Sequence, residues 1–462
     1  MKDKILQTLR DLRVYALEKG VEAGFFYHEE DSHLMRFANS AISLNTNEHL
    51  IRLEITAFDG KRRATYEMIT DLSKLDEMKQ GLDIAAEMVK HAMPLSYQPT
   101  NPAYAQDFGD ESGAYDPQLA SLTGEERLAY FNEAVQGLET DDIKLSGIFA
   151  SGTNVTAQMT TRSEHAQYFK TSDAQINVVL SHQTKKWEVL AEQSAQQKSD
   201  LNPAGLQREL SFLLKRYQDE LAQQIPVGKY DIVFGAAAIG DLLSIMNWVG
   251  FNGGSMKRGF SFIGEDKPGQ KVFSDKFNLS DDPTRRETFP FQRDMIGLER
   301  KPFPIVEQGV FKGFTWFQDD ADEFGVAPSG HTVMHKSLVL AGGEEQVSSL
   351  EQLVGLPREN DLLYIPYLHY MNIVNPSKGL ITGSSRFGAL LLKKDGSVVV
   401  PFNVRITQSL LDIFGEKVAW MSQAQTVNNT SASYGARNPT AVIAPTFMRV
   451  NDLEISHSNS SY

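Results

Sequence analysis

The chain has 462 residues, a formal net charge of −14 and no cysteine. Its 41% hydrophobic content supplies buried cores and excludes wholesale disorder, and its length predicts about two or three domains. The missing cysteines exclude disulfides, thiolate metal ligands and cysteine nucleophiles. The acidic balance, without a block of lysine and arginine, counts against direct nucleic-acid binding.

The chain start and its hydropathy bear on where the protein works. The segment Met1–Leu6 lacks the apolar core of a signal peptide, and no run of about 18 apolar residues is present to span a membrane. We therefore expect a cytoplasmic protein without a membrane segment.

The first half alternates helices and strands. An amphipathic helix is predicted over residues 3–19, followed by two short strands, 23–27 and one from Leu34, around a polar turn. Strict alternation over Ile51–Ala57 predicts a half-buried strand. A helix is predicted from Ser73 to about Ala92, with Asp76 completing a capping box.

The second part of the chain changes in character. Thr123–Glu126 carries a capping-box pattern, and helices are predicted over Pro203–Gln223 and Ala236–Val249. Most of the remaining chain is predicted to form strands and turns. These patterns predict an α+β protein, with an N-terminal α+β domain at 1–225 and a strand-rich domain, similar to a β-barrel or sandwich, at 226–462.

Three blocks occur in an order that is typical of one family. The first comprises Arg36–Ser40, Asp59–Gly60 and Thr70–Ser73; the second comprises the helix 236–249, Gly253–Phe262, Asp281–Thr284 and Glu307–Gly313; the third comprises Thr382–Gly388, Asp395–Gly396, Asn403–Thr407 and Leu410–Leu411. In this order the blocks resemble the TldD/PmbA family, whose members are also called modulators of DNA gyrase.

The resemblance implies one of two kinds of protein. TldD-type members are zinc metallopeptidases with a His-Glu-x-x-x-His helix and a later cysteine ligand. PmbA-type (TldE-type) members lack these ligands and pair with a TldD-type subunit to process or degrade peptides. We expect the second kind here, with no cofactor of its own and zinc only in the partner.

The helix that would carry the metal decides between the two kinds. Its sequence, Ala236–Val249, contains Asp241 but no histidine and no glutamate. A catalytic zinc site needs three protein ligands and an open position. The expected zinc ligands are therefore missing from this helix, and we predict no catalytic and no metal residues in this chain.

Two histidine pairs are alternative metal candidates. The string His28-Glu29-Glu30-Asp31-Ser32-His33 matches the zinc motif, but it lies where a solvated hairpin turn is expected. His331 and His335 are four residues apart, a spacing that binds zinc on a helix, although the following segment has the pattern of a strand. We retain His331 and His335 as weak metal candidates.

A peptide cleft is the remaining site hypothesis. Its candidate residues are Gly253, Gly254, Arg258, Ser384, Ser385 and Arg386. The glycines would let an extended peptide approach the backbone, and either arginine would hold a carboxylate. The aromatic segment Tyr364–Tyr370 is predicted to be a buried strand with an exposed end, where Tyr367 or His369 could contact a ligand.

The functional hypothesis is a subunit without a metal centre in a peptide-processing TldD-type system. Its partner would be a TldD-type chain in a heterodimer, or a second copy in a homodimer, and its substrate a peptide or unfolded polypeptide. One alternative is an active metallopeptidase with a different ligand set. Another is a non-enzymatic protein that modulates gyrase or toxin–antitoxin components.

Overall fold

The computed structural model describes residues 1–109, 113–294, 297–330, 337–430 and 437–459. Across these ranges the chain forms three β-sheets and ten α-helices. Among the described residues, no helix combines the length and the apolar character that a membrane crossing needs.

The first sheet contains six long antiparallel strands in the order β3-β2-β1-β4-β5-β6. Their bounds are β1 Glu22–Ala38, β2 Ala41–Asp59, β3 Arg62–Thr70, β4 Ile143–Thr160, β5 Ala166–His182 and β6 Glu188–Ala195.

Five helices accompany this sheet: α1 Lys2–Glu18, α2 Leu75–His91, α3 Pro117–Ala120, α4 Gly124–Ala134 and α5 Pro203–Tyr217. Helices α1 and α2 share a core with Phe25 and Ile55 at one end of the long strands. Helices α4 and α5 share another with Phe149 and Val178 at the other end. The apolar stripe of each helix is thereby removed from water.

The remaining strands build two further sheets. A six-stranded sheet has the order β10-β9-β8-β11-β20-β19, and a nine-stranded sheet has the order β13-β14-β17-β21-β7-β12-β15-β16, with β18 beside β21. The strand bounds are β7 Gly228–Gly235, β8 Leu279–Asp281, β9 Phe303–Glu307, β10 Val310–Phe311, β11 Leu338–Leu340, β12 Leu362–Ile365, β13 Tyr367–Asn375, β14 Leu380–Arg386, β15 Leu390–Leu392, β16 Val398–Val399, β17 Asn403–Ser409, β18 Val418–Met421, β19 Gln425–Asn429, β20 Ala441–Pro445 and β21 Phe447–Asn459.

Five helices belong to this part: α6 Ala236–Val249, α7 Gly253–Lys257, α8 Gln318–Phe324, α9 Leu350–Gly355 and α10 Leu410–Phe414. Helix α6 contacts strands of both sheets and buries Ile239, Leu242 and Met246 in the largest core. An apolar helix thus packs against both sheets in this core. The mixed α+β class is confirmed, but the expectation of a barrel is wrong, since no sheet closes on itself within the described residues.

Two local predictions also differ from the structure. The predicted turn at His28–His33 lies within the unbroken strand β1, which pairs with β2 on one side and β4 on the other. The capping box predicted at Ser73 is absent, because Ser73 donates to the Asp71 carboxylate and α2 begins at Leu75. The capping box at Thr123 and Glu126 is confirmed.

Candidate functional site

A buried polar cluster joins the late residue Arg437 to the first sheet. The Arg437 guanidinium donates to both carboxylate oxygens of Asp173 on β5, from Nε at 2.9 Å and from Nη2 at 2.7 Å. Arg437 is 4% exposed and Asp173 is 1% exposed. This bidentate geometry is the strongest form of an arginine–carboxylate pair, and it is shielded from water.

The main chain of Arg437 also makes hydrogen bonds to the first sheet. Its N–H donates to the Glu30 carboxylate, and its carbonyl oxygen accepts from the Asn154 amide and from His28 Nε2 at 3.0 Å. Burial lowers the pKa of His28, which favours the neutral ring that donates here. Glu30 is also paired with Arg52 at 3.3 Å. His28 and Glu30, which belong to the motif-like sequence in β1, therefore bind the distant chain segment at residue 437.

A cavity of about 410 Å³ lies between the two parts of the chain. One wall comes from β6 and α5, and the other from the first turn of α6, from the β12–β13 bend and from β19. The polar and aromatic residues that line it are Glu192, Arg208, Glu209, Glu351, Tyr364, Tyr367, Phe387 and Asn428. Its volume lies within the range of small-ligand sites, and we call it the acidic cleft.

Three carboxyl groups in or beside the acidic cleft have raised pKa values. Burial, followed by the neighbouring charges of Asp241 and Glu209, raises the pKa of Glu192 to about 8. Burial raises the pKa of Glu209 to about 7 and that of Asp241, on α6, to about 7. These three carboxyl groups therefore stay protonated to a higher pH than ordinary carboxyl groups do.

The residues of the acidic cleft and of α6 do not fit the zinc that the resemblance implies for TldD-type members. Over the described ranges, no three histidine, aspartate or glutamate side chains are grouped so that they could hold a metal ion. Asp241 is the sole ionisable residue on α6, and the chain has no cysteine. Helix α6 therefore lacks the donors that a hydrolytic zinc ion requires.

The first three predicted cleft residues lie in contact with neighbouring side chains, and a peptide role for them stays a prediction. A Cβ atom on Gly253 would overlap the Trp316 ring, and one on Gly254 would overlap the Asp320 carboxylate. Arg258 donates to Asp320 at 2.8 Å and also pairs with Glu323. These contacts fasten α7 to α8, and the three residues do not line the acidic cleft.

The structure brings the other three, Ser384, Ser385 and Arg386, together in a smaller cavity of about 110 Å³ beside β13. Ser385 is buried, and its Oγ accepts from the Val404 N–H at 2.9 Å. Arg386 pairs with Glu188 at 3.3 Å. A peptide role for this group stays a prediction, while the weak metal candidates His331 and His335 lie outside the described residues.

The acidic cleft was largely missed at the level of sequence. Glu192, Glu209 and Asn428 come from three separate elements and form no motif. Two signals did exist: the lone Asp241 on an otherwise apolar helix, and the aromatic segment that contains Tyr364 and Tyr367. Arg437 and Asp173, 264 positions apart, left no local signal.

Comparison with known proteins gives one family match. Residues 227–457, which are 231 of the 462 residues, match the family model described as PmbA/TldA metallopeptidase C-terminal domain. No curated protein matches the chain.

Solved structures give likenesses over nearly the full length. TldE from Thermococcus kodakarensis superposes with a TM-score of 0.80 at 16% identity, covering 97% of this chain and 100% of that one. A protein of Thermotoga maritima has a TM-score of 0.74, and one of Bacteroides thetaiotaomicron has 0.76. Both are 16% identical to this chain and are described as candidate modulators of DNA gyrase. Each match covers 97% of this chain, and it covers 99% of the Thermotoga protein and 98% of the Bacteroides protein. These likenesses show a shared fold.

Proposed function

The chain belongs to the PmbA/TldD metallopeptidase family, and we propose that it is the TldE-like subunit that works with a zinc-bearing TldD-type partner on peptides. The observation that carries the proposal is α6, the helix that the resemblance matches to the family's metal helix, which offers Asp241 alone as an ionisable group. A zinc peptidase needs several donors and a base on such a helix.

Other features support this assignment. The TldE likeness covers the whole of that chain, so no large segment of the TldE fold is missing here. The acidic cleft is an open cavity beside α6, which gives a subunit without metal a place to contact an extended polypeptide. The proposal places the heterodimer in the cytoplasm, where a cysteine-free chain needs no oxidising environment.

Co-expression with a TldD-type chain from the same genome tests the proposal. We expect a 1:1 complex by size-exclusion chromatography with light scattering, and cleavage of an unfolded model substrate by the complex but not by this chain alone. Changing the metal-ligand histidines of the partner should abolish cleavage, while Asp241→Asn in this chain should leave the zinc content of the complex unchanged.

Two results would contradict the proposal. One is hydrolysis by the purified chain alone that a single substitution in this chain abolishes. The other is the absence of any complex, with the peptidase activity of the TldD-type chain unaffected by this chain across a range of concentrations.

A further inference from the structure

The walls of the acidic cleft carry an excess of negative groups. Glu192, Glu209 and Glu351 line it, opposed by the single basic residue Arg208. Asp241 lies close enough to act electrostatically on both Glu192 and Tyr367. Among the described residues, neither Glu192, which is partly buried, nor Glu209, which is exposed, has a hydrogen-bond or ion-pair partner, so both carboxylates are available to a ligand.

Two neutral polar side chains in the same cavity are also unpartnered. Asn428 is 6% exposed and Tyr364 is 8% exposed, and both line the cleft. Within the described part of the chain, neither the Asn428 amide nor the Tyr364 hydroxyl makes a hydrogen bond. The Asn428 amide lies over α6, where its Nδ2 would be 2.6 Å from a Cβ on Gly240. Buried polar groups that lack partners inside a protein are typical of a site where a ligand supplies the missing hydrogen bonds.

The opposite wall has a different polarity. Ala236 and Ala237 form the first turn of α6 and line the cleft, and their N–H groups have no acceptor within the helix. These donors suit a carbonyl oxygen, while the carboxylates suit a cation. A polypeptide carries both groups, whereas a free polyamine has no acceptor for the helix donors.

We propose that the acidic cleft binds a lysine or arginine side chain of a polypeptide, with Glu192 and Glu209 holding the cation and the first turn of α6 facing the peptide backbone. Tyr364 and Tyr367 line the same cavity, where an aromatic ring would add a cation–π interaction. This inference rests on the proposed function, since it names the class of peptide that the subunit receives.

The titration of the cleft carboxyl groups predicts how the affinity for a cationic side chain changes with pH. The titratable and charged groups that line the cleft come from every wall: Glu192 on β6, Arg208 and Glu209 on α5, Glu351 on α9, and Tyr364 and Tyr367 on β12 and β13. Asp241 on α6 lies beside them and acts electrostatically on Glu192 and Tyr367. The raised pKa values of Glu192 and Glu209 mean that their charges develop only near neutral pH. A lysine ammonium stays protonated to about pH 10, so binding should strengthen as pH rises from about 6 to about 9.

Fluorescence anisotropy with the full-length chain tests the proposal. The probes are four labelled alanine-rich hexapeptides that differ only at one central residue, which is lysine, arginine, norleucine or glutamate. We expect the lysine and arginine peptides to bind about tenfold tighter than the norleucine peptide, because only they can form a charged hydrogen bond with the cleft carboxylates. The double variant Glu192→Gln/Glu209→Gln should abolish that preference and leave norleucine binding unchanged. Glu416→Gln, on an exposed turn outside the cleft, is the matched control.

Each result separates one occupant from another. Equal affinity for the lysine and norleucine peptides, or a lysine preference that survives in the double variant, overturns the proposal. Binding of spermidine without binding of the lysine peptide overturns a polypeptide as the occupant. Assembly with a TldD-type chain is measured in parallel, so a lysine preference without assembly contradicts the proposed function and leaves the cation site in place.

Discussion

Replacement of Arg437 by methionine is expected to lower the free energy of unfolding by about 3–5 kcal/mol, the usual loss when one partner of a buried ion pair is removed. Methionine retains much of the aliphatic volume but leaves the Asp173 carboxylate, 1% exposed, without its bidentate partner. The main-chain bonds from residue 437 to Glu30, Asn154 and His28 remain available. Urea unfolding followed by tryptophan fluorescence measures the change.

Two further variants show whether the orphaned charge is the cause. Adding Asp173→Asn to Arg437→Met should recover much of the lost stability, because the uncompensated carboxylate is gone. Lys90→Met, at an exposed ion pair with Glu87 at 2.7 Å, should change stability by less than about 1 kcal/mol. A similar loss of unfolding free energy in Lys90→Met and Arg437→Met would mean that breaking the buried ion pair costs no more than breaking an exposed one.

Glu192→Gln is expected to stabilise the protein at about pH 8.5 by on the order of 1–3 kcal/mol, after allowance for solvent screening in an open cleft. The folded-state pKa of Glu192 is about 8, above the value of about 4.3 in an unfolded chain. Between these values the folded chain binds more protons, so its stability falls as pH rises through that window. Glutamine does not titrate and removes the loss.

Thermal unfolding of the two proteins across this window provides the check. The Glu192→Gln variant and the parent should differ least at about pH 4 or below, where Glu192 is protonated in both the folded and the unfolded chain, and should separate progressively as the pH rises. Glu416→Gln, whose side chain is exposed, should follow the parent at every pH. Parallel curves for the parent and Glu192→Gln would show that the cleft does not disfavour the ionised carboxylate.

The two polar regions differ in whether their carboxylates are paired. In the cluster around Arg437, the carboxylates of Asp173 and Glu30 are both paired with arginines. The cluster joins the segment at residue 437 to the first sheet. The acidic cleft keeps unpaired carboxylates together and thereby lowers the stability of the folded chain. Such a loss is typical of functional sites, where a group is retained for a ligand rather than for the fold.

Helix α6 was predictable because its signals are local. Its observed bounds, Ala236–Val249, agree with the sequence prediction. Its many alanine, isoleucine, leucine and methionine residues indicate its burial, and the flanking Gly235 and Gly250 mark its ends. The conclusion that it lacks a zinc ligand set needed composition alone.

Strand β1 was misread because its stabilising partners are far away in sequence. His28, Glu29 and Glu30 look like a solvated turn, yet the bond from His28 to the Arg437 carbonyl spans 409 positions. No local pattern predicts that the polar side chains of this strand will find hydrogen-bond partners on the main chain of residue 437. The acidic cleft escaped for the same reason, since its walls meet only after the two halves of the chain have packed.

Metal content is the most direct test of a subunit that brings no zinc site of its own. Elemental mass spectrometry would be applied to this chain, purified without a histidine tag and incubated with zinc, and to its complex with a TldD-type chain. We predict almost no zinc on the isolated chain and about one ion per complex, lost when the partner's ligands are changed. About one ion on the isolated chain would contradict the proposal and direct attention to His331 and His335.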